Sequence, residues 1–438
     1  MNGPRAPRVA YVVSRFPAAS ETFVVRELNA VAEAAPIEIT LMSLFPPSDG
    51  LVHEDARRWL DGLLRPAPVA AAAATAWWLV RRPLRLLGAT CRVIAGAWRN
   101  PRVLGRSLLT LPIAAAHART VSERGIEHVH AHFASYPALA AWLCGRLCDV
   151  PYSFTAHAYD IFMSQELLGI KVREAQFVVA ISDFNRRFLG GYGGGREAPI
   201  EVVHCGVDPA PSRATRARES RSGPVRALCV AGLQEKKGHA VLLEAIAGDP
   251  ALERLELDLV GGGPLREQLE RRAAELGIAG RVRFHGPLEE AEVRELLERA
   301  DLFVLPSIIA SDGQMEGLPV ALIEALASGV PAVSTRLSAI PELIADRRTG
   351  VLAGSAGSSS PAAAPRSRAT STFAGRASGW RSCCWARPGA GAGERRAVGP
   401  GSPLLGRRPR LQLDRDDRDH DPLGARPDRL RPGAARGR

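Results

Sequence analysis

Two carboxylates stand eight positions apart in the stretch Glu316-Gly317-Leu318-Pro319-Val320-Ala321-Leu322-Ile323-Glu324. Ionised carboxylates accept hydrogen bonds strongly and suit the hydroxyls of a sugar. Pro fixes φ and is tolerated in a first helical turn, so Gly317 to Pro319 reads as the entry to a helix. Val320, Ile323 and Ala327 recur at helical spacing and mark its buried stripe. A ligand over that N-terminus would meet Glu316, Glu324 and backbone N–H groups suited to phosphate. The plainer reading is a capping Glu followed by a surface Glu, and the pair alone does not separate the two.

Further residues gain weight from their neighbours. Lysines occur only at 171, 236 and 237, and two of them stand side by side in the loop Ala231 to Gly238. His128, His130 and His132 alternate along a strand from Ile126 to Phe133, which places them on one face. No Cys or carboxylate cluster accompanies them in the sequence, so no metal is expected there. His157 follows a strand from Tyr152 to Ala156, and a residue just past a parallel strand points into the ligand crevice. Ser20, Glu21 and Thr22 open the first helix, with Ser20 as its N-cap. Gly261-Gly262-Gly263-Pro264 precedes a helix but lacks the following Gly-Lys-Ser/Thr of a phosphate loop, so it reads as a tight turn.

Strands and helices alternate through most of the chain, the pattern of a parallel sheet with helices on both faces. One such unit spans 1–208. It carries an Ala-, Leu- and Arg-rich insert at 67–120 with Trp77, Trp78 and Trp98 among its arginines. That insert reads either as a helical hairpin with a solvated basic face or as helices lying on a membrane surface. Pro209 to Gly223 lacks an apolar period and reads as a linker. A second α/β unit covers 224–354.

The 438 residues carry a net charge of +11. From Ser355 onward there are 17 Arg, no Lys and 7 acids, so nearly all of the surplus sits in that stretch. The folded part is close to neutral, and a nucleic-acid partner is not indicated for it. Residues 355–438 have too little apolar content to build a core and are expected to be disordered. Their composition is what an out-of-frame reading of GC-rich coding DNA would give. Scattered cysteines and an N-terminus without an apolar leader point to a cytoplasmic protein.

The stretches Arg15–Phe23, His128–Phe133, Ser153–His157, Val203–Asp208, Glu235–Gly238, Gly262–Arg266, Asp312–Pro319, Glu324–Gly329 and Ser338–Glu342 occur in this order. In that order they resemble the retaining glycosyltransferases of family 4, in the polysaccharide-assembly branch of the colanic-acid kind. The resemblance threads residues 8–353. It implies two facing Rossmann-like domains, the GT-B fold, with the second domain cut short near Leu352.

The resemblance also implies transfer of a sugar from a nucleotide-diphosphate sugar to a glycan or lipid-linked acceptor in surface polysaccharide synthesis. The protein would work in the cytoplasm or peripherally at the inner face of the plasma membrane, and without a cofactor or metal. Glu324 would hold the ribose hydroxyls and Glu316 the donor sugar. Lys236, Lys237 and the N–H groups of Gly317 and Leu318 would serve the diphosphate. His157 would face the reacting sugar, and Ser20, Glu21 and Thr22 the acceptor. Many members carry an Arg shortly before the Lys-Gly pair, where this chain has Gly232. The alternative is a truncated relative that at most binds nucleotide.

Overall fold

Parallel strands covered on both faces need apolar side chains at nearly every position. In the computed structural model β4 (Tyr152–Ala156) and β10 (Leu302–Leu305) are buried at every residue. The structure describes residues 5–18, 21–47, 54–194, 198–207 and 223–354. The linker from 209 to 222, Ser20, Asp208 and the stretch from 355 onward lie outside the described residues.

The first half runs β1 (Arg8–Arg15), α1 (Thr22–Ala34), β2 (Glu38–Phe45), α2 (Pro68–Arg81), α3 (Pro83–Ala97), α4 (Pro101–Arg124), β3 (His128–His132) and α5 (Tyr136–Cys148). After β4 come α6 (Tyr159–Phe162), α7 (Leu168–Glu174), β5 (Phe177–Ala180), α8 (Asp183–Gly190) and β6 (Ile200–Val202). Its six strands form one parallel sheet in the order β2-β1-β3-β4-β5-β6. The reversal of order between β1 and β3 opens a crevice at the strands' C-terminal ends.

The second half runs β7 (Val225–Val230), α9 (His239–Gly248), β8 (Leu255–Val260), α10 (Arg266–Glu275), β9 (Val282–Gly286) and α11 (Glu290–Arg299). After β10 come α12 (Val320–Ala327), β11 (Ala332–Thr335), α13 (Ile340–Leu343) and β12 (Gly350–Ala353). Its sheet is again six-stranded and parallel, in the order β12-β11-β10-β7-β8-β9. The second sheet therefore has as many strands as the first. The shortfall expected of this half falls on residues beyond 354, outside the described part.

Of the two readings of the insert, the two-helix hairpin departs from the structure. Pro83 and Pro101 each stand in the first turn of a helix and break the Ala/Leu-rich run into three helices, α2, α3 and α4. Proline cannot continue a preceding helix but is preorganised to begin one. Asn100 caps α4 by accepting a hydrogen bond from the Val103 N–H at 3.2 Å, and Gly125 closes it with φ 60°. Trp78, Leu86, Val93 and Leu111 from these helices join the core around α5, where Trp142 is fully buried.

The Gly261–Pro264 stretch is a turn against a neighbouring loop, with the Leu233 N–H donating to the Gly262 carbonyl at 2.8 Å.

Candidate functional site

The expected residues converge where the C-terminal ends of the two sheets face each other. The loop after β7 brings Lys236 and Lys237, the loop after β10 brings Glu316, and His157 directly follows β4. Glu316 is buried, and its two oxygens take one lysine each: Oε1 to Lys236 Nζ at 3.0 Å, Oε2 to Lys237 Nζ at 2.7 Å. Burial pushes the Glu316 carboxyl up, but the charges of Lys237 and Lys236 outweigh it and hold the group below the usual carboxylate range. Sequence reasoning gave these residues separate roles; the structure makes them one ionic cluster.

The lysine loop is fixed to the loop that carries Glu316. Glu235 accepts hydrogen bonds from the Ser311 N–H at 3.0 Å and the Ser311 hydroxyl at 2.7 Å. The Ile308 N–H donates to the Lys236 carbonyl at 2.9 Å. Gly238 adopts φ 72°, and a Cβ there would lie 1.9 Å from the Pro306 carbonyl oxygen, so no other residue allows the two loops to approach this closely.

Gly317 joins the second half to the first. It sits against the His157 peptide, Ala158 and Ile181. Leu318 packs with Ile181 and Ala339 in a small apolar cluster that spans both halves. Glu342 adds a polar link, accepting from the Asp183 N–H at 2.9 Å and the Phe184 N–H at 2.8 Å. A carboxylate at a helix N-terminus satisfies N–H groups that have no partner within the helix. Ser182 caps the same helix, as its sequence position predicts, by accepting from the Asn185 N–H at 3.0 Å.

His157 is buried between Phe23 and Phe133, with ring centroids 4.8 and 4.6 Å away. Its backbone N–H donates to Asp160, and its carbonyl accepts from the Asn185 side chain. Burial first, then the neighbouring imidazole of His132, pushes its pKa down to about 3, so the ring is neutral. Its Nε2 is buried without a hydrogen-bond partner among the described residues.

The alternating histidines gather a carboxylate that the sequence did not reveal. The ligand atoms of Glu27, His130 and His132 all lie within 4.8 Å of one another, and Glu27 Oε1 is 3.4 Å from His132 Nε2. The premise that no carboxylate accompanies the histidines therefore fails, because α1 delivers Glu27 across about a hundred positions. His130 already contacts hydroxyls with both nitrogens: Ser153 Oγ at 2.8 Å and Thr155 Oγ1 at 3.1 Å. Burial pushes Glu27 up, yet His132 and the neighbouring imidazoles outweigh it and bring the group down to about 2.

Of the expected acceptor-side residues, Ser20 lies outside the described part. The position capping α1 belongs to Glu21, whose side chain makes no capping bond. Burial raises the Glu21 carboxyl to about 7, with His132 opposing and Asp160 assisting. Thr22 begins the helix. Glu324 lies on the middle of α12 and meets a residue the sequence did not flag: Arg26 of α1, whose Nη1 is 3.0 Å from Glu324 Oε1. Arg26 Nη2 also lies 3.6 Å from Glu290 Oε2 at the start of α11.

Known proteins resemble this chain in sequence and in fold. The family profile described as Glycosyltransferase Family 4 matches residues 75–211, and the one described as Glycosyl transferases group 1 matches 213–364. The putative colanic acid biosynthesis glycosyltransferase WcaL of Salmonella typhimurium is 30% identical over 372 residues, covering 79% of this chain and 86% of that protein. The amylovoran biosynthesis glycosyltransferase AmsK of Erwinia amylovora is 39% identical over 158 residues, which span 35% of this chain and only 38% of AmsK. Among solved structures, the lipopolysaccharide outer core galactosyltransferase WaaB in its apo form gives a TM-score of 0.57 at 16% identity, covering 79% of this chain and 86% of its own. Anabaena HepE in complex with UDP gives 0.57 at 17% identity, covering 86% and 94%. At these identities the likeness establishes the two-domain fold.

Proposed function

The chain belongs to the family 4 glycosyltransferases, and from that membership we propose that it transfers a sugar, with retention, from a nucleoside-diphosphate sugar to a glycan or lipid-linked acceptor of a surface polysaccharide. The observation that carries the reading is the buried Glu316 held between Lys236 and Lys237, beside the contact of Gly317 with the His157 peptide. As the sugar–phosphate bond breaks, negative charge grows on the leaving diphosphate. Two fixed ammonium groups stabilise that charge where water is largely excluded. They also hold Glu316 ionised, ready to accept from hydroxyls of the donor sugar. Glu324 would take the ribose hydroxyls, and a neutral His157 would line the reacting face without adding charge. The reading needs no metal, because the lysines supply the positive charge. Relatives whose names specify polysaccharide synthesis, and a neighbour solved with UDP, support the same substrate class.

The lipid-linked version of the acceptor has support of its own. No residue between 62 and 122 is acidic, whereas nine are Arg. Eight of the eleven large apolar side chains exposed among the described residues lie between 69 and 109; Val69, Val80 and Leu84 are 81%, 84% and 85% exposed. Helices α2 to α4 thus pack one side on the core and present arginines and apolar side chains outward, as an anionic membrane surface requires. No helix among the described residues is long and apolar enough to cross a membrane. The protein would therefore act as a peripheral enzyme on the cytoplasmic leaflet.

The test is donor turnover. Purified full-length chain is given UDP-, GDP- and ADP-sugars with an extract of lipid-linked glycan, and release of nucleoside diphosphate is measured. Release with one donor, lost in Lys237→Ala, supports the proposal. Nucleotide binding without turnover of any donor would favour the alternative of a relative that only binds nucleotide.

A further inference from the structure

Arg26 is a side chain of the first half that reaches a carboxylate proposed to hold the donor. Its guanidinium bridges Glu324 on α12 at 3.0 Å and Glu290 on α11 at 3.6 Å, and the side chain is only 19% exposed. We propose that Arg26 occupies the place of the donor ribose on Glu324, a latch that the incoming nucleotide displaces from Glu324 onto Glu290. This rests on the assignment of Glu324 to the ribose hydroxyls.

Three features make the exchange workable. A carboxylate offers the same lone pairs to a guanidinium or to two vicinal hydroxyls, so the partners compete. Glu290 supplies a second anion next to the first, so the guanidinium released from Glu324 keeps a partner. The other contacts between the halves use other side chains, among them Ile323 beside Glu324. Glu342 accepts from the first turn of α8 and lies 3.7 Å from His204, close to the linker, while Leu318, Ile181 and Ala339 form the apolar cluster. Those contacts stay in place, and the Arg26–Glu324 contact is the part that exchanges.

A competitor held in place lowers apparent affinity by the fraction of molecules in which the site is blocked. Partly exposed ion pairs contribute modestly, so removing this one should tighten nucleotide binding by roughly threefold. The full-length chain, Arg26→Gln, Glu324→Gln and the double variant are titrated calorimetrically with UDP and with GDP, and thermal melts check folding.

Arg26→Gln is expected to bind the preferred nucleoside diphosphate about threefold tighter. Glu324→Gln should lose at least tenfold, and the double variant should gain nothing over Glu324→Gln. Unchanged or weaker binding by folded Arg26→Gln overturns the latch while leaving the donor site standing. Binding by Glu324→Gln as tight as wild type, or no binding by any folded variant, overturns the donor-site assignment and the latch with it.

Discussion

Gly317 presses on the peptide of His157 so closely that a Cβ on it would lie 2.8 Å from Ala158 Cβ and 3.3 Å from the His157 carbonyl oxygen. One hydrogen atom thus sets how near the Glu316 loop comes to the first half. Gly317→Ala must push the halves apart or distort the loop, since overpacked contacts cost about 1–3 kcal/mol. We expect turnover to fall by about tenfold or more, with a smaller change in nucleotide affinity, because the proposed donor contacts sit mainly on the second half. A kcat equal to wild type in the alanine variant would show that this approach is not needed for the reaction.

The Glu316 cluster predicts an asymmetry between single and double changes. With Lys237→Ala, Lys236 still neutralises Glu316, so the fold should survive while turnover drops about 10²–10³-fold, the usual loss for one transition-state charge partner. Removing both lysines leaves a buried carboxylate unpaired, which costs about 3–5 kcal/mol. Adding Glu316→Gln to the double variant should then restore much of the stability and none of the activity. Denaturant melts of the four proteins test this; equal stability of the double and triple variants would contradict it.

Stability should fall as the solution is acidified below the ordinary imidazole range. Burial lowers His117 to about 4, His130 and His157 to about 3, and His239 to about 4. In the unfolded chain each would bind a proton near pH 6.5, whereas in the folded chain each stays neutral until pH 3–4. The unfolded state therefore takes up more protons over that window, and each such group removes up to about 1.4 kcal/mol per pH unit. Glu21, raised to about 7, works the other way: the folded form binds a proton first, adding stability as pH falls from 7 towards the unfolded value. Burial also raises the Asp160 carboxyl, but four imidazoles outweigh these two carboxyls, so denaturant midpoints should decline between pH 6.5 and 4. Replacing His117, which lies 3.2 Å from the Ser43 carbonyl and away from the cleft, with Gln should flatten that decline.

What could be read from the sequence follows from how local each signal is. The Glu316-to-Glu324 stretch, the lysine pair and the strand ending at His157 were legible because each belongs to one strand, loop and helix. Parallel-sheet topology then carries those loop ends to a common edge. Arg26, Glu27 and Glu342 were not legible in these roles, because their partners lie on other elements. Arg26 meets Glu324 across 298 positions and Glu342 meets Asp183 across 159, and no period or motif spans such gaps. The insert is legible as helical from its composition, while its division into three helices depends on Pro83 and Pro101 as helix starts.

The outward surface of α2 to α4 gives the last prediction. If arginines and exposed apolar side chains together hold the protein to anionic lipid, the two contributions should be separable. Binding to vesicles containing phosphatidylglycerol should weaken with salt, because exposed charges are screened within about 8 Å at physiological ionic strength. Vesicles of phosphatidylcholine alone should bind little. Leu84 is 85% exposed, so Leu84→Asp should leave the melting temperature within a few degrees of wild type. It should reduce the lipid-bound fraction even at low salt, since it removes an inserted apolar group and places a negative charge against the surface. Charge reversal at Arg99, which stacks over Trp98 with its guanidinium carbon 5.1 Å from the ring centroid, should do the same and also shrink the salt dependence. Co-sedimentation of the three proteins across a salt series decides the matter; equal pelleting with phosphatidylglycerol and phosphatidylcholine vesicles would mean that this face does not recognise anionic lipid.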